Sequence, residues 1–102
     1  MRVEYQTCAN GGRLSLAGEL DHHAAGAAMR RIQSLLGEHQ PGHLELDMQR
    51  VGFMDSSGIA LMLNAQKIQK QIGGTLRVTK LSPQVKKVVY SVGLQKMIDI
   101  EE

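Results

Sequence analysis

The apolar residues of this 102-residue chain change their spacing several times, and those changes limit what it can fold into. Val3 and Tyr5, extended by Thr7, recur at every second position, and Leu14, Leu16 and Leu20 resume that spacing after Asn10-Gly11-Gly12. Strand side chains alternate between two faces, so two such stretches joined by turn residues predict an opening β-hairpin. From Ala25 the spacing becomes three and four, through Ala28, Met29, Ile32, Leu35 and Leu36. That stripe predicts a helix of about four turns, capped by Asp21 and ended by Gly37 or Gln40-Pro41-Gly42.

The alternation then repeats. Leu44, Leu46 and Met48 return to period two, with Val51 and Phe53 carrying the strand on to Asp55. Between Ser57 and Ile72, Leu61, Ala65, Ile68 and Ile72 share one helical face, widened by Ala60, Met62 and Leu63, while Asn64, Lys67 and Gln71 take the other. Gly73-Gly74 stops this helix and Leu76 and Val78 begin another strand. Ser82-Pro83 is a cap followed by a first-turn proline, Val85, Val88 and Val89 line a short helix that Gly93 ends, and Met97-Ile98-Asp99-Ile100 reads as a last strand. The expected fold is a single α/β domain over residues 1–102. An N-terminal hairpin is followed by alternating helices and strands, giving a mixed sheet with right-handed crossovers and the helices packed on one face. The pattern leaves the exposure of the second sheet face open.

Several function classes fall away on composition. Twelve Lys and Arg against ten Asp and Glu give a net charge of +2, and the basic residues are scattered apart from Arg30-Arg31 and Lys86-Lys87. Aromatic residues make up 3% of the chain, with no Trp, so there is neither the basic stripe nor the stacking platform of a nucleic-acid binder. No apolar run approaches the roughly 20 residues that span a bilayer. The opening residues MRVEYQTCANGG lack the apolar stretch of a signal peptide, and a lone cysteine, Cys8, excludes an internal disulfide. A soluble, unprocessed cytoplasmic protein with no membrane association is expected.

Chemistry concentrates in Asp55-Ser56-Ser57-Gly58, where a strand turns into a helix. Three readings stay open there. Any of the three polar side chains can cap the helix, although the reciprocal capping box is missing, because Ile59 and Ala60 stand three residues beyond Ser56 and Ser57. A nucleophilic serine would need an oriented base, and only His22 and His23 are near a loop; the motif is not the G-x-S-x-G elbow. A phosphate acceptor suits a helix start that has free N–H groups and no acidic residue of its own, with Gly58 leaving the approach unobstructed. No Gly-Lys-Ser/Thr phosphate loop is present. The adjacent His22 and His23 lack metal-ligand spacing, and His39 and His43 flank a turn where a surface place is the default.

Four ordered blocks carry a resemblance: Gly18-Glu19-Leu20-Asp21-His22-His23, Phe53-Met54-Asp55-Ser56-Ser57-Gly58, Gln71-Ile72-Gly73-Gly74, and Leu81-Ser82-Pro83 with Val85-Lys86-Lys87. Together they span nearly the whole chain and resemble the anti-sigma factor antagonists, the small single-domain members of the STAS group. The first two blocks are most similar to sporulation members acting on sigma-F. The resemblance implies a phosphorylation-switched anti-anti-sigma factor. Its unmodified form binds an anti-sigma factor that is also a serine kinase, the sigma factor is released, modification ends binding, and a PP2C-like serine phosphatase restores it. It implies no catalytic residue, cofactor or metal in this chain. It places the phosphoserine on Ser56, with Ser57 as a cap or support for the loop. The partner surface it implies comprises Glu19, Asp21, His22, His23, Met54, Asp55, Ser56, Ser57, Gly58 and Ile59. The alternative within the same fold is a non-switching STAS scaffold in a stress or membrane-associated signalling complex. Glu101-Glu102 closes the chain soon after the last expected strand, where such relatives carry another helix, so a short member or an incomplete chain is expected.

Overall fold

The computed structural model describes residues 1–101, and Glu102 lies outside them. β1 (Arg2–Cys8) and β2 (Gly11–Leu20) form the expected hairpin, paired from Arg2 opposite Ala17 to Cys8 opposite Gly11. There follow α1 (His22–His39), β3 (His43–Met54), α2 (Ser56–Gln71), β4 (Thr75–Thr79) and α3 (Pro83–Ser91), then a 3-10 turn over Leu94–Lys96 and β5 (Asp99–Ile100). The strands lie in chain order, β1-β2-β3-β4-β5, and every pair after the hairpin is parallel. Each helical crossover steps the same way across the sheet. Right-handed connections that all step one way put all the helices on one face.

That face holds the core. Leu14, Leu16, Leu44, Leu46, Met48 and Val78 of the sheet meet Ile32, Leu36, Leu61, Met62, Val85 and Val89 of the helices, all nearly or fully buried. At one margin the Tyr5 ring stacks on the His39 ring, centroids 4.0 Å apart, tying the edge strand to the end of α1. The opposite sheet face, left open by the sequence, is polar and self-paired. Glu45 accepts from Thr79 Oγ1 at 2.6 Å and from Arg13 Nε at 3.1 Å, Lys80 lies 3.5 Å from Asp47, and Arg77 lies 3.8 Å from Asp99. No helix among the described residues is long and apolar enough to cross a membrane.

Three departures from the expected pattern have physical causes. α1 runs through Gly37 to His39, about five turns rather than four, and Gln40 takes the left-handed conformation (φ 45°, ψ 55°) that closes it, its N–H donating to Leu36 O. Met97-Ile98 belongs to the exit from the 3-10 turn, where Ile98 N–H donates to Leu94 O at 3.0 Å, so β5 is only two residues long. The third departure lies in β3. Ser15 opposes Asp47 and Ala17 opposes Arg50; Gly18 opposes Val51 and Glu19 opposes Phe53. Each interval gives β3 one residue more than β2, so two bulges shift its phase. Val51 and Met54 therefore face the core, and Phe53, expected to continue the buried series, is 41% exposed.

The polar face makes stability depend on pH. Glu45 is held below its ordinary carboxylate range, first by the Thr79 hydroxyl, against the opposing effect of partial burial, with Arg13 and Lys80 adding to it. A carboxyl with a folded pKa below its unfolded one contributes stability that is complete above the unfolded value, near 4.3, and is lost as pH falls through the folded value. Thermal melts at pH 7, 4 and 3 are expected to show Glu45→Gln less stable than wild type at pH 7 but with a smaller loss on acidification. An unchanged pH slope would count against this account.

Candidate functional site

The site stands at the C-terminal ends of β2 and β3. Leu20 opposes Met54 in the parallel register, so the residues that follow them, Asp21 and Asp55, emerge side by side. Both adopt the extended conformation of an N-cap, Asp21 at φ −106° and ψ −176°, Asp55 at φ −109° and ψ −168°. The chain enters α1 after one and α2 after the other. Two blocks separated by more than thirty residues in sequence thus form one corner.

The caps divide the work unevenly. Asp21 Oδ1 accepts from His23 N–H at 3.0 Å and Ala24 N–H at 2.9 Å, closing its own helix. Asp55 Oδ1 accepts from Ser57 N–H at 2.8 Å, while its Oδ2 reaches across to accept from His22 N–H, the first residue of α1, at 3.1 Å. One carboxylate therefore serves two helix starts, and neither helix has an acidic residue in its first turn. The Asp55 carboxyl is held below its usual range, foremost by the Ser57 N–H, against some desolvation, with the Ser57 hydroxyl and the N–H and charge of His22 assisting. Hydrogen bonds to the ionised form are what stabilise it. The cap of α2 is thus Asp55, and Ser57 supports the loop as a donor to that cap.

Ser56 is the first residue of α2 and is exposed. Its hydroxyl makes no hydrogen bond among the described residues. Glu19, His22 and His23 are also exposed, Asp21, Asp55, Ser57 and Ile59 are half-buried, and the two histidine rings meet edge to face with centroids 5.7 Å apart. Neither ring hydrogen-bonds a serine hydroxyl, so the oriented base of a nucleophilic serine is not assembled among the described residues. Among the described residues, no group of three or more His, Cys, Asp or Glu gathers to hold a metal.

Met54 and Gly58 have a different place from the surface role expected of them. Met54 is 1% exposed and Gly58 is buried. A Cβ on Gly58 would run into Met54 Cγ and Sδ and lie 3.1 Å from Leu20 Cδ2. The glycine therefore lets α2 sit down on the ends of β2 and β3; it opens space inward, not toward a ligand. Ile59, one residue on, packs partly against the core.

Two site residues escaped the sequence pattern. Phe53 is exposed opposite Glu19, and only the bulges reveal it. Gln84, near the start of α3, brackets Met54: its Oε1 accepts from Met54 N–H at 2.8 Å and its Nε2 donates to Met54 O at 3.0 Å. No local signal in the sequence links a glutamine thirty residues away to this strand end. A concavity of about 730 Å³ lies at the far end of the polar sheet face beside Asn10, Arg13, His43 and Arg77, away from Ser56. The corner itself is a surface rather than a pocket.

Comparison with known proteins agrees with this fold. The family model described as Mlab, STAS domain matches residues 3–99. The chain is 33% identical over 85 residues to an anti-sigma F factor antagonist of Paenibacillus polymyxa, covering 83% of this chain and 73% of that protein. It is 27% identical over 100 residues to an anti-sigma-B factor antagonist of Bacillus subtilis (strain 168), covering 98% and 90%. Among solved structures, the anti-sigma factor antagonist SpoIIAA in its unphosphorylated form superposes with a TM-score of 0.80 at 25% identity, over 99% of this chain and 89% of that one. An anti-sigma factor antagonist from Mycobacterium paratuberculosis shares the fold with a TM-score of 0.86 at 20% identity, over 97% and 83%.

Two substitutions test the corner. Gly58→Ala is expected to cost about 1–3 kcal/mol by overpacking against Met54, read as a lower urea midpoint with an unchanged m-value. Asp55→Ala should lower Tm by roughly 4–8 °C and speed amide exchange at both His22 and Ser57, since one side chain satisfies both. Loss of protection at Ser57 alone would show that the bridge to α1 is not made in solution.

Proposed function

Because this chain belongs to the STAS domain family, we propose that it is an anti-sigma factor antagonist switched by phosphorylation of Ser56. In its unmodified form it binds an anti-sigma factor that is also a serine kinase, and sigma factor is released. Phosphorylation by that partner ends the complex and a PP2C-like phosphatase restores it; the sporulation sigma-F system is the proposed setting. In this scheme the chain is a substrate and binding module in the cytoplasm and carries no catalytic residue of its own.

The observation that carries the proposal is the state of Ser56: exposed, at the first position of α2, its hydroxyl unengaged among the described residues while each carboxylate oxygen of Asp55 beside it accepts from an N–H group. A hydroxyl so placed can enter a kinase active site without unfolding anything. The product is compatible with the fold, because two helix N-termini converge where the phosphate would stand, and positive helix ends favour a dianion. The partner surface responds differently. A bare serine packs at an interface with little desolvation, whereas a phosphate brings roughly 1.5 to 2 negative charges to a corner that already holds Asp55, Asp21 and Glu19. A desolvation and repulsion penalty of about 3 kcal/mol lowers affinity about a hundredfold. Glu19, His22, His23 and Phe53 frame the exposed part of the proposed surface, with Asp21, Ser57 and Ile59 at its margin; Met54 and Gly58 shape it from beneath.

Incubation with the cognate anti-sigma kinase and ATP, followed by fragment mass spectrometry, is expected to place one phosphate on Ser56. Ser56→Ala should bind the kinase within about threefold of wild type and resist modification, and Ser56→Asp should weaken binding by tenfold or more. Phosphate found only on Ser57, or none with an active kinase, would sink the assignment. A stable complex with an unrelated scaffold and no kinase would favour the non-switching alternative.

A further inference from the structure

β3 runs well past the end of β4. Their ladder stops where Asp47 opposes Thr79, so the end of β3 has a strand neighbour only on the β2 side. A strand residue directs its N–H and C=O to the same side, and successive residues alternate. Asp55 N–H returns to Leu20 O on the β2 side at 3.3 Å, so the polar pair of Met54 faces the side with no strand. Gln84 fills that place. Its carboxamide has one acceptor and one donor in a plane, and it alone makes both bonds to Met54 that an extended parallel β4 would have supplied from two different residues.

We propose that Gln84 is a positioning residue for Ser56, holding the end of β3 so that the Asp55-Ser56 step presents its hydroxyl in one fixed place; the phosphorylation aspect rests on the reading of Ser56 given above. The segment is short and pinned at both ends. Gln84 holds the backbone of Met54 on one side, and the Asp55 carboxylate is bound to the starts of α1 and α2 on the other. The support is itself firm, because α3 is anchored by fully buried Val85 and Val89 and capped by Ser82, whose Oγ accepts from Val85 N–H at 3.4 Å. Those contacts hold α3 without Gln84, whose side chain is only half-buried. Its two bonds therefore act on the loop more than on the helix that bears them. Kinase reactions are sensitive to the placement of the accepting hydroxyl, and a displacement of about 1 Å can cost up to about a hundredfold in rate.

The test uses the full chain and two variants. Gln84→Met keeps the length of the side chain and loses both bonds. Gln84→Glu keeps the acceptor for Met54 N–H, loses the donor at neutral pH, and regains a donor when its carboxyl is protonated. In ¹⁵N NMR, Gln84→Met is expected to exchange the Met54 amide at least about tenfold faster and to shift residues 53–57, leaving α1 and the β1–β2 hairpin as in wild type. Gln84→Glu should return toward wild-type shifts at those residues as pH falls through its carboxyl titration, and Gln84→Met should not. With the kinase, Gln84→Met should lower kcat for Ser56 by about tenfold with KM within about twofold. Unchanged Met54 exchange and loop shifts in Gln84→Met would overturn the proposal. So would changes spread through α3 and the core with no recovery of Gln84→Glu at low pH, the outcome of a merely structural role. If wild type is not phosphorylated on Ser56, the functional reading fails, while the NMR arm still decides whether Gln84 holds the loop.

Discussion

The carboxylate of Asp55 is the contact on which the functional corner depends. Two helices start beside each other because β2 and β3 are parallel and end in register at Leu20 and Met54. Adjacent helix starts bring unpaired N–H groups and two positive dipole ends together, an arrangement that needs a shared anion. Asp55 supplies it with one oxygen on Ser57 N–H and the other on His22 N–H, and Asp21 completes the first helix. Its acidity is strengthened accordingly. With both oxygens of the acid engaged, Ser56 stands at the same corner with no hydrogen bond to its hydroxyl among the described residues. An arrangement of this kind keeps the caps that hold the two helices independent of the Ser56 side chain.

The two bulges in β3 decide what that surface displays. They turn Phe53 outward beside Glu19 and turn Met54 inward, where Gly58 leaves the room that Met54 and Leu20 occupy. β4 stops at Thr79, opposite Asp47, so a side chain from α3 completes the hydrogen bonding at the end of β3. The site is therefore built by three helices and the ends of two strands. The polar sheet face contributes little to it, because its charged groups are committed to one another through Glu45, Thr79, Arg13, Asp47 and Lys80. The wide concavity on that face lies at the opposite end of the strands from Ser56.

Much of this was legible from residue order. Period-two and period-three-to-four spacing located the hairpin, the helices and the strands between them, and Asp21 and Ser82-Pro83 marked two helix starts, because these signals act within a few residues of chain. Asp55-Ser56-Ser57-Gly58 marked the third start for the same reason. Two boundaries moved where local signals were weak: Gly37 sits inside α1 because the roughly 1 kcal/mol that one glycine costs a helix is outweighed by the buried packing of Ile32, Leu35 and Leu36, and β5 shrank because the 3-10 turn uses Met97 and Ile98. The phase of β3 could not be read at all. A bulge is set by pairing with β2, and period-two counting through Val51 and Phe53 assumes a regular strand.

What the amino-acid order determined by itself was the class of fold, the identity of its elements and the position of a serine pair at a helix start, all consequences of spacing and capping chemistry. What only the tertiary structure decided was who meets whom. Asp55 bridges to His22 and Gln84 brackets Met54 across about thirty positions of chain or more, Gly58 makes room for Met54 and for Leu20 of the neighbouring strand, and Phe53 comes to the surface through a register that one strand imposes on the other. Local propensity carries no information about such partners, because each depends on where a second segment stops.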